Sequence, residues 1–275
     1  FKKAVISNYI SLNFVDRVFD APSLYSGLEN LFGLYGYALQ IYCDFSGYSD
    51  MAIGIALLLG FHFNDNFKSP YQAANITDFW RRWHISLSTW LKDYLYISLG
   101  GNRNGIFRTY FNLILTMLLG GLWHGASGRF ILWGALHGFA LATHKYFISL
   151  PIKMPKWSSS WLHFLGVIVT FHFVCFCWIF FRAENLELAG QMLYQILYHL
   201  KPGLVFELMA GYPAVVSLMA VGYVLHFVPF TWEEKSQQLL TKLPLVGKAA
   251  FIILIIALVM QTKSADIQPF IYFQF

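Results

Sequence analysis

Charged side chains are scarce in this sequence of 275 residues. Only 12% of the residues are Asp, Glu, Lys or Arg, whereas 57% are hydrophobic and 19% are aromatic. Soluble domains average about 25% charged and about 45–50% apolar residues. A soluble domain of this size could not hide so much apolar surface behind so few charges. We therefore expect lipid to form part of the solvent around this chain.

Other absences narrow the function further. The three cysteines are Cys43, Cys175 and Cys177. No second pair offers the spacing of metal ligands, so we expect neither a metal site nor a disulfide. The net charge of +5 is spread between apolar runs, which suits anionic headgroups better than nucleic acid. The chain starts at Phe1, without a start Met or a cleavable signal, and this predicts that it begins inside a longer protein.

Long apolar runs predict membrane helices. The clearest is residues 161–181, which carry no formal charge and at about 1.5 Å per residue would cross a hydrocarbon core of roughly 30 Å. We interpret residues 28–63, interrupted by the letters CDFSGYSD, as two helices that meet at a polar break. Apolar residues at helical spacing over 186–200 predict an amphipathic helix at the membrane interface. Further spans are expected at 107–123, 130–150, 213–230 and 246–261. The predicted fold class is all-α, a polytopic membrane protein with residues 1–275 as a single membrane domain.

Three polar features interrupt these apolar surroundings, where an ionisable group is costly and usually faces a cavity or another such group. The first is DFWRRWHISLSTWLKDYLY, whose start Asn75 or Thr77 can cap. On one helix Arg81, His84 and Ser88 would share a face. The alternative is a membrane-surface helix with an aromatic belt and snorkelling arginines, which explains the Trp and Arg residues but leaves His84 unexplained.

The second feature is LLGGLWHGAS, in which His124 follows an almost wholly apolar run and is bracketed by glycines. Glycines allow another backbone or a substrate to approach closely. A buried neutral imidazole can accept a proton at physiological pH. The alternative is a core histidine hydrogen-bonded to a carbonyl group.

The third feature is YCDFSGYSD, in which Asp44 and Asp50 lie between two apolar halves. A broken helix with acidic groups can line an ion path, as in transporters, or the acids can form a buried polar network. His137 is a further intramembrane histidine, which we interpret as a supporting or structural residue.

Together these motifs resemble the membrane-bound O-acyltransferase family. The resemblance is carried by DFWRRWHISLSTWLKDYLYISLGGNR and, about forty residues after His84, by GLWHG. The stretch LQIYCDFSGYSDMAIGIALLLGF is similar to the bacterial branch that includes alginate and peptidoglycan O-acetyltransferases. The resemblance implies a helical bundle around a transmembrane tunnel or funnel. It also implies further N-terminal membrane helices that this chain does not contain.

The resemblance assigns residue roles. His124 matches the active-site histidine, and His84 matches a second signature position that orients or polarises the acyl group. It implies no tightly bound cofactor and an acyl thioester such as acetyl-coenzyme A as the donor. Ser86 and Ser88 are candidate oxyanion donors or make local helix bonds. The expected substrate-binding residues are Arg81, Arg82, Trp83, Ser88, Asp44 and Trp123.

The chain ends in QPFIYFQF, which resembles an aromatic terminal motif of this bacterial branch. There the tyrosine, here Tyr272, is proposed to carry the acyl group transiently. Because a tyrosine hydroxyl has a pKa near 10, it would need a base such as His124 to become a nucleophile. The alternative is an aromatic tail anchored at the membrane interface.

The resemblance thus implies a multi-pass protein of the bacterial inner membrane that moves an acyl group, expected to be acetyl, from a cytosolic thioester. The acceptor would be an extracytoplasmic polysaccharide, reached through a periplasmic esterase-like partner. The first alternative is an ion-coupled transporter or channel that uses the Asp44/Asp50 break. A purely structural membrane subunit is the second alternative.

Overall fold

The computed structural model describes residues 1–151 and 160–262, and these residues form helices and connecting turns without a strand. The N-terminal part is a run of short segments, π-helical and α-helical in turn (Lys2–Ser7, Asn8–Ile10, Ser11–Val15 and Asp16–Asp20). The α-helices that follow are α1 (Gly27–Leu58), α2 (Ile76–Arg82), α3 (Ile85–Trp90), α4 (Gly105–His124), α5 (Gly128–Ser149), α6 (Ser160–Arg182), α7 (Leu186–Tyr198), α8 (Val205–Gly211), α9 (Pro213–Phe227), α10 (Phe230–Lys242) and α11 (Leu245–Thr262).

Length and composition identify two of the described helices, α4 and α6, as able to cross a membrane. A third span arises if Pro202–Gly211 and Pro213–Phe227, which meet at a bend of 102°, act as one broken span. Leu245–Gln261 is apolar but shorter. The helices expected at 107–123, 130–150, 161–181, 213–230 and 246–261 all form, so the all-helical prediction is confirmed.

The polar break expected within residues 28–63 is wrong, because α1 runs unbroken through CDFSGYSD and ends at Leu58. A capping box starts the helix: Glu29 N–H donates to Ser26 Oγ and Ser26 N–H donates to Glu29 Oε2. The N-terminal segments pack along α1. Gly47 permits this approach, since a Cβ there would lie 3.0 Å from Lys3 N.

The two acids of α1 are ion-paired across this packing face. Asp44 pairs with Lys3, and Asp50 pairs with Lys2 at 2.7 Å. The cost of carrying acids in an apolar helix is therefore offset by lysines that are distant in sequence. The ion-path alternative loses the helix break on which it rested. The buried polar network describes Asp44 and Lys3, whereas Asp50 and Lys2 form an exposed pair.

Glycines set the close contact of α4 against α5. A Cβ at Gly121 would lie 2.2 Å from the carbonyl oxygen of Phe130, and one at Gly134 would lie 2.3 Å from that of Met117. Only hydrogen fits at these positions, so the two backbones touch. The close approach expected from the glycines around His124 is confirmed.

The single helix expected over residues 78–96 is also wrong. Asn75 caps its start as expected, by accepting from Asp78 N–H at 2.8 Å. The helix then breaks at Trp83, which is extended, and at His84, which is left-handed with φ 43° and ψ 57°. It resumes as α3 and continues into the π-helical segment Leu91–Tyr96.

The amphipathic helix expected over 186–200 forms as α7. Asn185 caps it by accepting from Leu188 N–H at 2.9 Å. Ala189 and Met192 are buried against the bundle, whereas Leu197 and Tyr198 are exposed. The helix itself is confirmed, and its position at a membrane interface stays a prediction.

Candidate active site

His124 is the last residue of α4, and aromatic rings surround it. Its ring centroid lies 5.0 Å from that of Phe181, 5.3 Å from Trp133 and 6.2 Å from Phe130. Trp123 packs edge-on at 5.0 Å and is itself 60% exposed. The imidazole is therefore half-buried, with an apolar wall on the α5 and α6 side and an exposed indole beside it.

His84 is buried, with 8% of its surface exposed, in the break between α2 and α3. Its ring packs edge-on against Phe45 of α1 at 4.6 Å. The loop before α2 satisfies the backbone groups freed by the break: Lys68 N–H donates to Arg82 O, and Ile85 N–H donates to Asn66 O, both at 3.0 Å. Left-handed backbone in a residue other than glycine is uncommon, although histidine is among the residues that adopt it most readily.

The two histidines, 40 positions apart in the sequence, come together in the fold. A chain of ring contacts leads from Trp83 to Trp178 at 5.0 Å, from Trp178 to Phe181 at 5.3 Å, and from Phe181 to His124 at 5.0 Å. Burial, and secondly the neighbouring His124, lower the pKa of His84 below its ordinary value. His84 is therefore neutral at physiological pH and interacts electrostatically with His124.

A cavity of about 630 Å³ lies between α2, α3, α4 and α5. Arg81, Lys92 and Lys145 line it, and so does Ser88. Lys92 also contacts the exposed Asp93 at 3.5 Å. Among the residues that the structure describes, neither His84 nor His124 belongs to the lining. The cavity combines three cationic side chains with a mostly apolar lining. This arrangement suits a ligand with an anionic group on an apolar or neutral chain.

The other expected binding residues fall in different places. Arg82 does not line the cavity and pairs with Asp78 at 2.9 Å. Trp83 is buried in the core, with 2% of its surface exposed. The Ser88 hydroxyl donates to Trp83 O at 3.0 Å and the Ser86 hydroxyl to the Asn66 side chain at 3.0 Å. Ser88 therefore makes a local bond, the alternative to an oxyanion role, whereas Ser86 bonds to a loop residue 20 positions away.

One polar donor beside His124 is uncommitted. The indole Nε1 of Trp133 is buried and has no hydrogen-bond partner among the described residues. A buried donor without a partner is costly, and such groups in native proteins call for a functional or solvent explanation. The sequence gives no signal that separates this tryptophan from its neighbours.

Among the cavity residues that sequence reasoning missed are two basic side chains, His144 and Lys145. His144 Nδ1 lies 2.8 Å from the Thr77 hydroxyl oxygen. A signal was present, because His144 follows His137 by seven positions and so lies on the same face of α5. His137 is fully buried and accepts from the Trp80 indole at 3.3 Å, which supports the structural interpretation of that residue.

Tyr272 and the rest of the terminal motif lie outside the described residues, so the acyl-carrier role stays a prediction. Within residues 1–151 and 160–262, no group of three His, Cys, Asp or Glu side chains is placed to hold a metal ion.

Comparison with known proteins decides the family. The model of the membrane-bound O-acyltransferase family matches residues 20–188, which include α1 to α6 and both histidines. The chain belongs to this family. It is 50% identical over 191 residues to a protein of Pseudomonas aeruginosa named "Probable alginate O-acetylase AlgI", covering 65% of this chain and 36% of that protein.

Two further relatives extend the comparison. The peptidoglycan O-acetyltransferase of Helicobacter pylori is 48% identical over 197 residues, which is 70% of this chain and 36% of the relative. The teichoic acid D-alanyltransferase of Bacillus subtilis is 34% identical over 166 residues, 57% of this chain and 42% of the relative. The chain therefore spans well under half the length of these relatives.

Proposed function

We propose that this chain is part of a membrane O-acyltransferase that moves an acyl group from a thioester donor to a hydroxyl acceptor. The observation that carries the proposal is that the fold brings His84 close enough to His124 for the two to interact, with His124 packed against Phe130, Trp133 and Phe181. A cavity lined by cations lies between α2, α3, α4 and α5. The family match and the names of the three relatives support the reaction class.

The cavity is the proposed donor site. Arg81, Lys92 and Lys145 offer the charges that bind phosphate groups, as in coenzyme A. Met117 lines the cavity from α4, and His124 lies seven residues further along that helix, a distance of about 10 Å. A donor with an anionic head and a long neutral arm, such as acetyl-coenzyme A, can bind its head in the cavity and extend its thioester towards His124.

His124 is the proposed general base. The hydroxyl proton of the acceptor moves to an imidazole nitrogen of His124 while the hydroxyl oxygen attacks the thioester carbonyl carbon. When the carbon–sulfur bond breaks, the departing thiolate takes the proton from the imidazolium, so no proton is gained or lost. Positioned proton transfer of this kind contributes about 10²–10⁴-fold to a rate. His84, neutral and buried, orients the acyl group.

Trp133 is the proposed donor to the developing oxyanion. Its indole N–H is buried beside His124 and has no partner among the described residues. A fixed donor in a dry site stabilises negative charge without reorganisation in the transition state. The hydroxyls of Ser86 and Ser88 already donate to Asn66 and Trp83 and are not needed for this role.

The proposed acceptor is suggested by the names of the relatives, which include an alginate O-acetylase and a peptidoglycan O-acetyltransferase. We propose a bacterial inner-membrane protein that serves O-acetylation of an extracytoplasmic polysaccharide, with a periplasmic esterase-like partner for the final transfer. Tyr272 is the proposed transient carrier: its hydroxyl would take the acyl group from the thioester with His124 as base, then pass it on. Residues 1–275 are proposed as one membrane domain of the longer protein.

The test uses the full-length protein in lipid vesicles with radiolabelled acetyl-coenzyme A. Covalent label is expected on the wild type and on His163→Ala, a control that removes an exposed histidine of α6. Label should be absent from His124→Ala, and absence from Tyr272→Phe would support the carrier role. Full labelling of His124→Ala, or ion flux that does not depend on acetyl-coenzyme A, would overturn the proposal.

A further inference from the structure

Arg129 occupies an unusual place for a cation. It lies in the first turn of α5, directly after Ser127 and Gly128, where the helix dipole disfavours positive charge. It is half-buried rather than fully solvated. Arg129 is therefore not an ordinary solvated surface residue, and its contacts with neighbouring residues explain its position better.

The guanidinium of Arg129 bridges two helices that form the wall of the His124 pocket. Its Nη1 donates to the carbonyl oxygen of Phe181 at 2.7 Å, in the last turn of α6, where carbonyl groups have no partner within the helix. Its central carbon lies 4.1 Å from the centroid of the Phe130 ring, within the range of a strong cation–π contact.

Both residues that Arg129 holds are in contact with His124. The rings of Phe130 and Phe181 lie 5.3 Å from each other, and each packs on the imidazole. Gly125, directly after His124, makes room for Phe130, since a Cβ there would lie 2.7 Å from a carbon of that ring. A change in the position of either ring therefore reaches His124 directly.

We propose that Arg129 is a positioning residue that fixes the Phe130–Phe181 wall and so holds the His124 imidazole in its reactive orientation. This inference rests on the proposed function. Arg129 does not line the donor cavity and does not contact the reacting atoms. It therefore acts on the rate of the chemical step and leaves donor binding unchanged.

The test compares Arg129→Met and Arg129→Lys in the full-length enzyme, with acetyl transfer measured over a range of acetyl-coenzyme A concentrations. Arg129→Met keeps the apolar stem but neither donates nor stacks, so kcat should fall about 10²-fold, the cost of a displacement near 1 Å, with KM unchanged. Arg129→Lys keeps a charge and a hydrogen-bond donor but not the planar group that stacks on Phe130, so its kcat should lie between those of the wild type and Arg129→Met.

Arg108→Gln is the matched control. Arg108 stacks on Phe111 at 5.3 Å near the start of α4, on an exposed surface away from His124, so its kinetics should equal those of the wild type. A wild-type kcat in Arg129→Met would overturn the inference, as would a rise in KM that accounts for the whole loss. If Arg129→Met does not fold, a wild-type kcat in folded Arg129→Lys would overturn it equally. An inactive wild type would instead sink the proposed function.

Discussion

The contact between α4 and α5 supports a sharp test of how the His124 site is built. In Gly121→Ala the new methyl group would lie 2.2 Å from the carbonyl oxygen of Phe130 and 3.1 Å from its carbonyl carbon. Carbon contacts are comfortable at about 3.5–4.0 Å, so the helices must separate by roughly 1 Å. The blocking atoms are backbone and cannot rotate away. We expect the upper end of the overpacking range, about 3 kcal/mol of lost stability.

Gly190→Ala is the matched control for this substitution. Gly190 is exposed on α7, and nothing lies within 4 Å of the position that a methyl group would take there, so the same change should stabilise the helix by about 0.5–1 kcal/mol. Thermal unfolding of both variants in detergent gives the comparison. Acetyl transfer should fall about 10²-fold in Gly121→Ala because Phe130 and His124 move apart. Equal stability and activity in the two variants would refute the close helix contact.

Three further predictions address single residues. Trp133→Phe keeps an aromatic side chain but loses the indole N–H with its five-membered ring, so kcat should fall about 10²–10³-fold. The smaller buried side chain should also lower the melting temperature, and an unchanged kcat would exclude the oxyanion role. Asp44→Asn removes the charge that neutralises the mostly buried Lys3 and should cost about 3–5 kcal/mol in detergent unfolding, whereas Asp50→Asn, at an exposed pair, should cost less than about 1 kcal/mol. At the left-handed His84, Asn should fold more stably than Val by about 1–2 kcal/mol in the same assay, and the reverse order would contradict the backbone assignment.

The sequence predicted the helices well where a long apolar run defines both ends. Residues 161–181 became α6 with Arg182 as its last residue, and residues 107–123 became α4 within two positions. The length and hydrophobicity of a run are local properties of the sequence, so these helix bounds could be predicted without knowing any contact distant in sequence.

The two errors have a common physical cause, which is a partner distant in sequence. A break was expected in α1 because acids in an apolar helix are costly, yet Lys3 neutralises Asp44 from 41 positions away. A continuous helix was expected through His84 because Arg81, His84 and Ser88 have the spacing of one helix face. The break is set instead by the loop at residues 66–68, whose backbone bonds to both sides of it.

The candidate site was predictable in part. The polar residues His124, His84 and Arg81 stood out in apolar or aromatic surroundings, and the family resemblance gave them their expected roles. The fold brings the histidines together and lines the cavity with Arg81. Lys145 was missed because a lysine near the end of a membrane helix looks like an interface anchor. The unpaired N–H of Trp133 could not be predicted from the sequence, because the packing of the folded chain decides whether an indole finds a hydrogen-bond partner.

The break at His84 explains how two proposed roles can belong to residues only three positions apart in the sequence. On a continuous helix Arg81 and His84 would share one face and point into the same space. The extended Trp83 and the left-handed His84 separate them, so Arg81 lines the cationic cavity while His84 is buried against Phe45. Strained backbone persists only where its surroundings determine it, and here the loop at 66–68 supplies the backbone hydrogen bonds. In the proposed function, this strained break separates Arg81, the proposed partner of the donor's anionic head, from His84, the proposed partner of its acyl group.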